Sequence, residues 1–150
     1  MAITTALCNT FKRELLEGIH TFGTDTFKLA LIKSGESGTY DKTTTNYSDV
    51  TGNSDEIAAT GSGGNPYSTG GHTLSSVTTT LSGDVAFVDF ADITFTNATI
   101  DANGAIIYNA SESNKAVAII SFGSTQSSDN GSFTITMPTN DSSNAIIRIT

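Results

Sequence analysis

Tryptophan is absent from this chain of 150 residues, cysteine occurs once, and Lys and Arg together number seven. Each shortage closes off a class of function. Nucleic acids are gripped through a basic patch on their phosphates. Seven cations against 15 acids, a formal net charge of −8, do not supply one. A single cysteine, Cys8, excludes an internal disulfide and suits folding in a reducing cytosol. Sugar sites favour an aromatic platform, commonly Trp, so only Tyr40, Tyr47 and Tyr67 in polar stretches remain as candidates for one. No run approaches the roughly 18 apolar residues of a membrane span. "MAITTALCNTF" has no basic segment leading into an apolar one, so no signal peptide is expected. The sequons at Asn46, Asn97, Asn109, Asn130 and Asn140 are accordingly expected to stay unmodified.

Threonine is plentiful instead, at about a sixth of all positions. It is β-branched and suits half-exposed strand positions, which favours an all-β body over a helical one. The first twenty residues are the exception. "TTALCNTFKRELLEGIH" spaces Leu7, Phe11, Leu15 and Ile19 four apart, flanked by Cys8 and Leu16. That spacing predicts an amphipathic helix over residues 4–20, capped by Thr4 or Thr5 and stopped at Gly18. Its apolar stripe must dock on the chain's own body or on a neighbouring subunit, which makes Leu7, Phe11 and Leu15 candidate interface residues.

From residue 26 the period changes to two. "TFKLALIK" predicts a strand over 26–33. Residues 34–71 form a long polar, Gly-rich region, with short strands expected near Val50 and Ile57. So long a connection suggests a binding role, with Tyr40, Tyr47 and Tyr67 as anchors and order gained on meeting a partner. Over 72–150 the pattern is regular. Strands are expected at 72–80, 84–90, 93–96, 104–109, 115–122, 132–137 and 145–149. The turn signals between them are "LSGD", "DANG", "SESNK", "STQSSDNGS" and "PTNDSSN". Short antiparallel strands at this rhythm point to a single mainly β domain over 1–150, a β-sandwich or jelly roll with one N-terminal amphipathic α-helix.

Catalytic chemistry finds little footing. Asp89 and Asp92 lie near each other in "FVDFADITFTNATIDANGAIIYNAS", and Asp101 and Asn103 follow, but strand ends carrying solvated acids give the same pattern. "DANG" reads as a tight hairpin turn and lacks the alternating oxygen ligands and closing Glu of a Ca²⁺ loop. His20 and His72 are far apart and share no metal-ligand spacing with Cys8. No Gly-x-Ser-x-Gly elbow occurs, and the glycines of "GSGGNPYSTGG" are not followed by the Lys-Ser/Thr of a phosphate cradle. No catalytic residue, cofactor or metal is therefore expected, and the chain does not read as an enzyme.

Six segments, "AITTALCNTFKRELLEGIH", "TDTFKLALI", "NPYSTGGHTL", "VDFADITFTNATIDANGAIIYN", "KAVAIISFG" and "NAIIRI", together span nearly the whole chain. In this order they resemble a family of small virion structural proteins of tailed bacteriophages. The resemblance implies a many-copy part of a phage particle, folded in bacterial cytoplasm with Cys8 reduced, and it brings no catalytic residues. The role it favours is a capsid decoration or cement protein on the outer head, assembled as a trimer or other symmetric homo-oligomer against the major capsid protein. The alternatives are a tail component (tube, adaptor or fibre-base) and a host-surface glycan-binding module.

Overall fold

The computed structural model describes residues 2–150 and is mainly β, with 46% of residues in strands and 9% in helices. Three sheets are present. Strands β1 (Ala2–Ile3) and β4 (Thr39–Tyr40) form a short parallel pair. Strands β6 (Thr78–Ser82), β7 (Val85–Asp89) and β10 (Ile147–Ile149) make an antiparallel sheet in the order β10-β7-β6. The largest sheet is antiparallel with order β2-β9-β8-β3-β5. It is built from β2 (Ala6–Leu7), β3 (Phe27–Lys33), β5 (His72–Thr73), β8 (Ile93–Asn109) and β9 (Lys115–Ile135).

The strand expected over 26–33 is β3. Residues 29–32 are all buried, whichever way they point, so both faces of the sheet are covered there. The "KAVAIISF" run behaves the same way: Ala116, Val117, Ala118 and Ile119 of β9 are all buried. Phe27 carries this core outward. It stacks on Phe22 at 4.7 Å and meets Phe90 at 6.2 Å, while Phe22 meets Phe11 edge-on at 6.2 Å. Burying each such ring is worth about 1.5–3 kcal/mol.

The N-terminal helix is shorter than its apolar spacing predicts. Helix α1 covers Asn9–Leu16, because Leu7 lies in β2, paired with Ala118 of β9, and Cys8 is extended at φ −67°, ψ 139°. A strand hydrogen-bonded to a neighbour cannot also supply the first helical turn, so the i, i+4 place of Leu7 is coincidental. Neither Thr4 nor Thr5 caps the helix: the Thr4 amide donates to the Tyr40 carbonyl, and the Thr5 hydroxyl accepts from the Ser121 amide. The stop at Gly18 is as expected. At φ +71° it lets its own amide reach the Leu15 carbonyl (3.2 Å) and the Ile19 amide reach that of Glu14 (3.0 Å), closing the last turn.

Two turn assignments need correction. "DANG" lies inside β8, which runs unbroken from Ile93 to Asn109. Gly104 serves packing, since a Cβ there would sit 2.4 Å from the Ile120 carbonyl oxygen. "STQSSDNGS" likewise lies inside β9. "SESNK" is the real hairpin: Asn109 pairs with Lys115, and Ser113 and Asn114 take φ of 53° and 60°. In the 34–71 region Val50 belongs to a short helix, α2 (Ser48–Gly52), while Glu56 bridges to Ile32.

Candidate interaction surfaces

The 34–71 region is fastened to the body by tyrosines and two adjacent acids. Asp55, fully buried, accepts from the Tyr40 hydroxyl (2.6 Å), the Gly38 amide (2.8 Å) and the Ser37 amide (3.0 Å), with Lys33 Nζ 3.5 Å away. Glu56 accepts from the hydroxyls of Tyr47 and Tyr67 and from the Gly70 amide. The Tyr67 oxygen in turn accepts from the Leu31 amide of β3 (3.0 Å). Tyr108 stacks on Tyr47 at 4.4 Å and donates to the Gly70 carbonyl at 2.6 Å. Tyr47, Tyr67 and Tyr108 thus tie the polar region to β3 and β8, while Tyr40 cross-links the region to itself through Asp55.

Tyr40 and Tyr67 are each 1% exposed, so the expectation that they anchor a partner is corrected. Their hydroxyls are spent on carboxylates inside the chain, and only Tyr47 keeps a partly exposed ring. Burial first, then the carboxylates, push the phenols of Tyr40, Tyr47 and Tyr67 well above their ordinary range, so they remain donors. Burial would raise Asp55 too. The hydrogen bonds from Tyr40, Ser37 and Gly38 and the Lys33 charge outweigh it and bring its carboxyl down to about 2. The tyrosine signal was visible in the sequence; its partners, two neighbouring acids in the same polar stretch, carried no motif.

A second buried network joins α1 to the end of β8. The Asn109 side-chain oxygen Oδ1 accepts from the Ser111 amide, so its Nδ2 donates to Asp25 (2.7 Å) and to His20 Nδ1 (3.0 Å). Nε2 of His20 then carries the proton and donates to Glu14 at 2.8 Å. Such a chain of acid, imidazole and amide would suit catalysis beside a nucleophile. Here it packs against the Phe11 ring, 4.9 Å from that of His20. Cys8 is buried as well, and burial followed by the charges of Asp41, Asp49 and Glu14 pushes its thiol up to about 12, far from a reactive thiolate. Asp92 accepts from the Met137 amide (2.7 Å) and Asp101 from the Ser127 hydroxyl (2.5 Å), both as strand fasteners. No group of three or more His, Cys, Asp or Glu able to hold a metal occurs among the described residues. Nor is any helix among them long and apolar enough to cross a membrane.

What the surface does offer is apolar. Leu81 of β6, Ala86 of β7 and Ile149 of β10 are direct cross-strand neighbours and therefore share one face of the three-stranded sheet. At the inner end of this face Val88 and Ile147 are buried; at the outer end Leu81 is 72% and Ile149 58% exposed. Leu15 and Phe22 join this row in lining a groove of about 360 Å³. Leu16, 92% exposed, extends from the same helix. Of the three candidate stripe residues, Phe11 is fully buried, while Leu7 and Leu15 are half-buried against the core. A second groove of about 620 Å³ runs beside β9, walled by Ile120, Phe122, Phe133, Met137 and Ile146 among hydroxyl side chains. Compared with family models, curated proteins and solved structures, the chain matches none.

Proposed function

We propose that this chain is a structural component of a tailed-phage virion, a decoration or cement protein bound to the outer surface of the head. The observation that carries the reading is the apolar row Leu81–Ala86–Ile149, left open beside Leu15 and Phe22 on a chain of net charge −8. A strongly acidic surface keeps free copies apart in solution and suits the outside of a particle better than its DNA-facing inside. Uncovered apolar side chains in that setting are the means of attachment to a capsid surface or to further copies in a symmetric oligomer. The resemblance of the sequence to phage virion proteins points the same way. The architecture that suits the role is a sandwich, the five-stranded and three-stranded sheets closing over one core. Membership of Val88 and Ile147 in the same buried cluster as Ile106 and Ile107 supports it.

Copy number and position test the reading. In purified particles of a phage encoding this chain, quantitative mass spectrometry and cryo-electron microscopy should find it on the head, in numbers that scale with the major capsid protein. Tens of copies or fewer at the tail would reassign it as a tail component, and its absence from particles would end the proposal. A double variant, Leu81→Ser with Ile149→Ser, should fold with stability within about 0.5 kcal/mol of the parent yet fail to join the particle.

A further inference from the structure

Three carboxylates of the chain are buried, and their company differs sharply. Asp55 has four hydrogen-bond donor groups and the Lys33 ammonium. Glu14 faces His20 and, at 3.7 Å, the ammonium of Lys115. Glu36, 9% exposed, receives a single hydrogen bond, from Asn103 Nδ2 at 2.8 Å, and among the described residues no cation stands within 4 Å of it. A carboxylate drawn back from water is destabilised unless charge or donors are brought to it. Among the described residues, Glu36 is the one buried acid with no cation beside it.

Its surroundings are built around an irregularity. Gly104 pairs with Ser121 and Ala102 with Gln126, so two steps along β8 face five along β9, and three residues of β9 are extra. They bulge away at Gly123, whose φ of +78° a side chain would resist. The bulge opens a cleft of about 300 Å³ lined by Glu36, Asn103, Ser121, Ser124 and Thr125, with Ile3 as its apolar wall. Asn103 is fixed between the Thr125 hydroxyl, which donates to its Oδ1 at 2.7 Å, and Glu36, so the amide and the carboxylate are held in place. Bulges of this kind are commonly used to aim side chains at a ligand.

We infer that this cleft is a binding site for a guanidinium group, the arginine side chain of a partner protein, which completes the ion pair that Glu36 lacks. Among the described residues the cleft is lined by one negative charge and no positive one, and its other polar groups are hydroxyls and an amide able to accept the remaining guanidinium protons. Arginine fits better than lysine because its planar, weakly hydrated fork tolerates burial and serves several acceptors at once. The inference does not depend on the virion reading; it names the chemistry of a contact, whatever particle or protein presents it.

The test uses the whole chain, labelled with ¹⁵N, and Nα-acetylarginine amide as the probe. Titration at low salt and neutral pH should shift the backbone amides of Ser121, Gly123, Ser124 and Thr125 and leave the rest of the spectrum in place. Glu36→Gln keeps an oxygen for Asn103 while removing the charge, and should weaken the probe's binding about tenfold or more. Nα-acetylcitrulline amide, the neutral isostere, should not bind the parent protein, a comparison that needs no variant to fold. No shift with the arginine probe, equal shifts with citrulline or glucose, an undiminished response in Glu36→Gln, or the same shifts produced more readily by Ca²⁺ would each overturn the assignment.

Discussion

Asp55 shows how a charge becomes affordable inside a β domain. With its side chain fully buried, it depends on Tyr40, Ser37, Gly38 and Lys33 to stay ionised. Its folded value of about 2 lies below the roughly 3.9 of an unfolded aspartate. The stabilisation it brings is therefore complete above the unfolded value and is lost as pH falls from there toward 2. Urea midpoints measured across that acid window should decline in the parent, and the decline should flatten in Asp55→Asn, which cannot titrate. Parallel declines in the two proteins would mean that Asp55 is not the group responsible. None of this was legible in the sequence, where Asp55 is one acid among 15 in a polar stretch. Its importance comes from Tyr40, fifteen positions back, and a chain reading has no period or motif that joins them.

At the scale of the element, α1 and β3 were legible for different reasons. Alternation under a run of β-branched and aliphatic residues identified β3 almost to its ends. The helix was found through Phe11 and Leu15, and its stop through Gly18, because local backbone geometry alone sets both. Its start was misplaced because β2 claims Leu7 through hydrogen bonds to β9, a neighbour more than a hundred residues away. "DANG" failed in the same manner: Asn-Gly is a turn signal where backbone freedom is needed, yet Gly104 answers to the approach of Ile120 from the next strand. The two leucines and the phenylalanine of α1 should separate in their energetics. Phe11→Ala, emptying a fully buried site, should cost about 3–5 kcal/mol in chemical denaturation. Leu16→Ala, at a residue 92% exposed, should stay within about 0.5 kcal/mol. Equal losses would show that the solution helix presents a different face to the core.

For the molecule as a whole, the question is how much of it is ordered before any partner arrives. The sequence suggested that 34–71 waits for one, since a long polar segment is costly to order at roughly 1–2 kcal/mol per residue. The folded chain offsets that cost internally, through Tyr40 and Tyr67 in the core and through backbone bonds such as Lys33 to the Asp55 carbonyl (2.8 Å) and Ile57 to that of Leu31 (3.2 Å). Hydrogen exchange on the isolated chain should accordingly find the amides of Gly38, Asp55, Ile57 and Gly70 protected, and those of the exposed glycine stretch 61–64 fast. Uniformly fast exchange across 34–71 would restore the picture of a segment that orders only on binding. The candidate surfaces were largely hidden from sequence reading for a related reason. Leu81 and Ile149 look like ordinary strand residues until the register places them side by side at an uncovered end.

The fastening of Tyr40, Tyr47 and Tyr67 to carboxylates has an optical consequence. Without tryptophan, the ultraviolet emission of the protein is dominated by its four phenol rings. An excited phenol is a stronger acid than one in its ground state, and a carboxylate at the end of its O–H bond drains the excitation by taking up the proton. Three of the four rings donate to Asp55 or Glu56, so the folded protein should glow dimly. Unfolding in urea at neutral pH should brighten the tyrosine band in step with the loss of circular dichroism, the reverse of simple exposure to a quenching solvent. Emission that falls or holds steady as the chain unfolds would show that these bonds do not persist in solution.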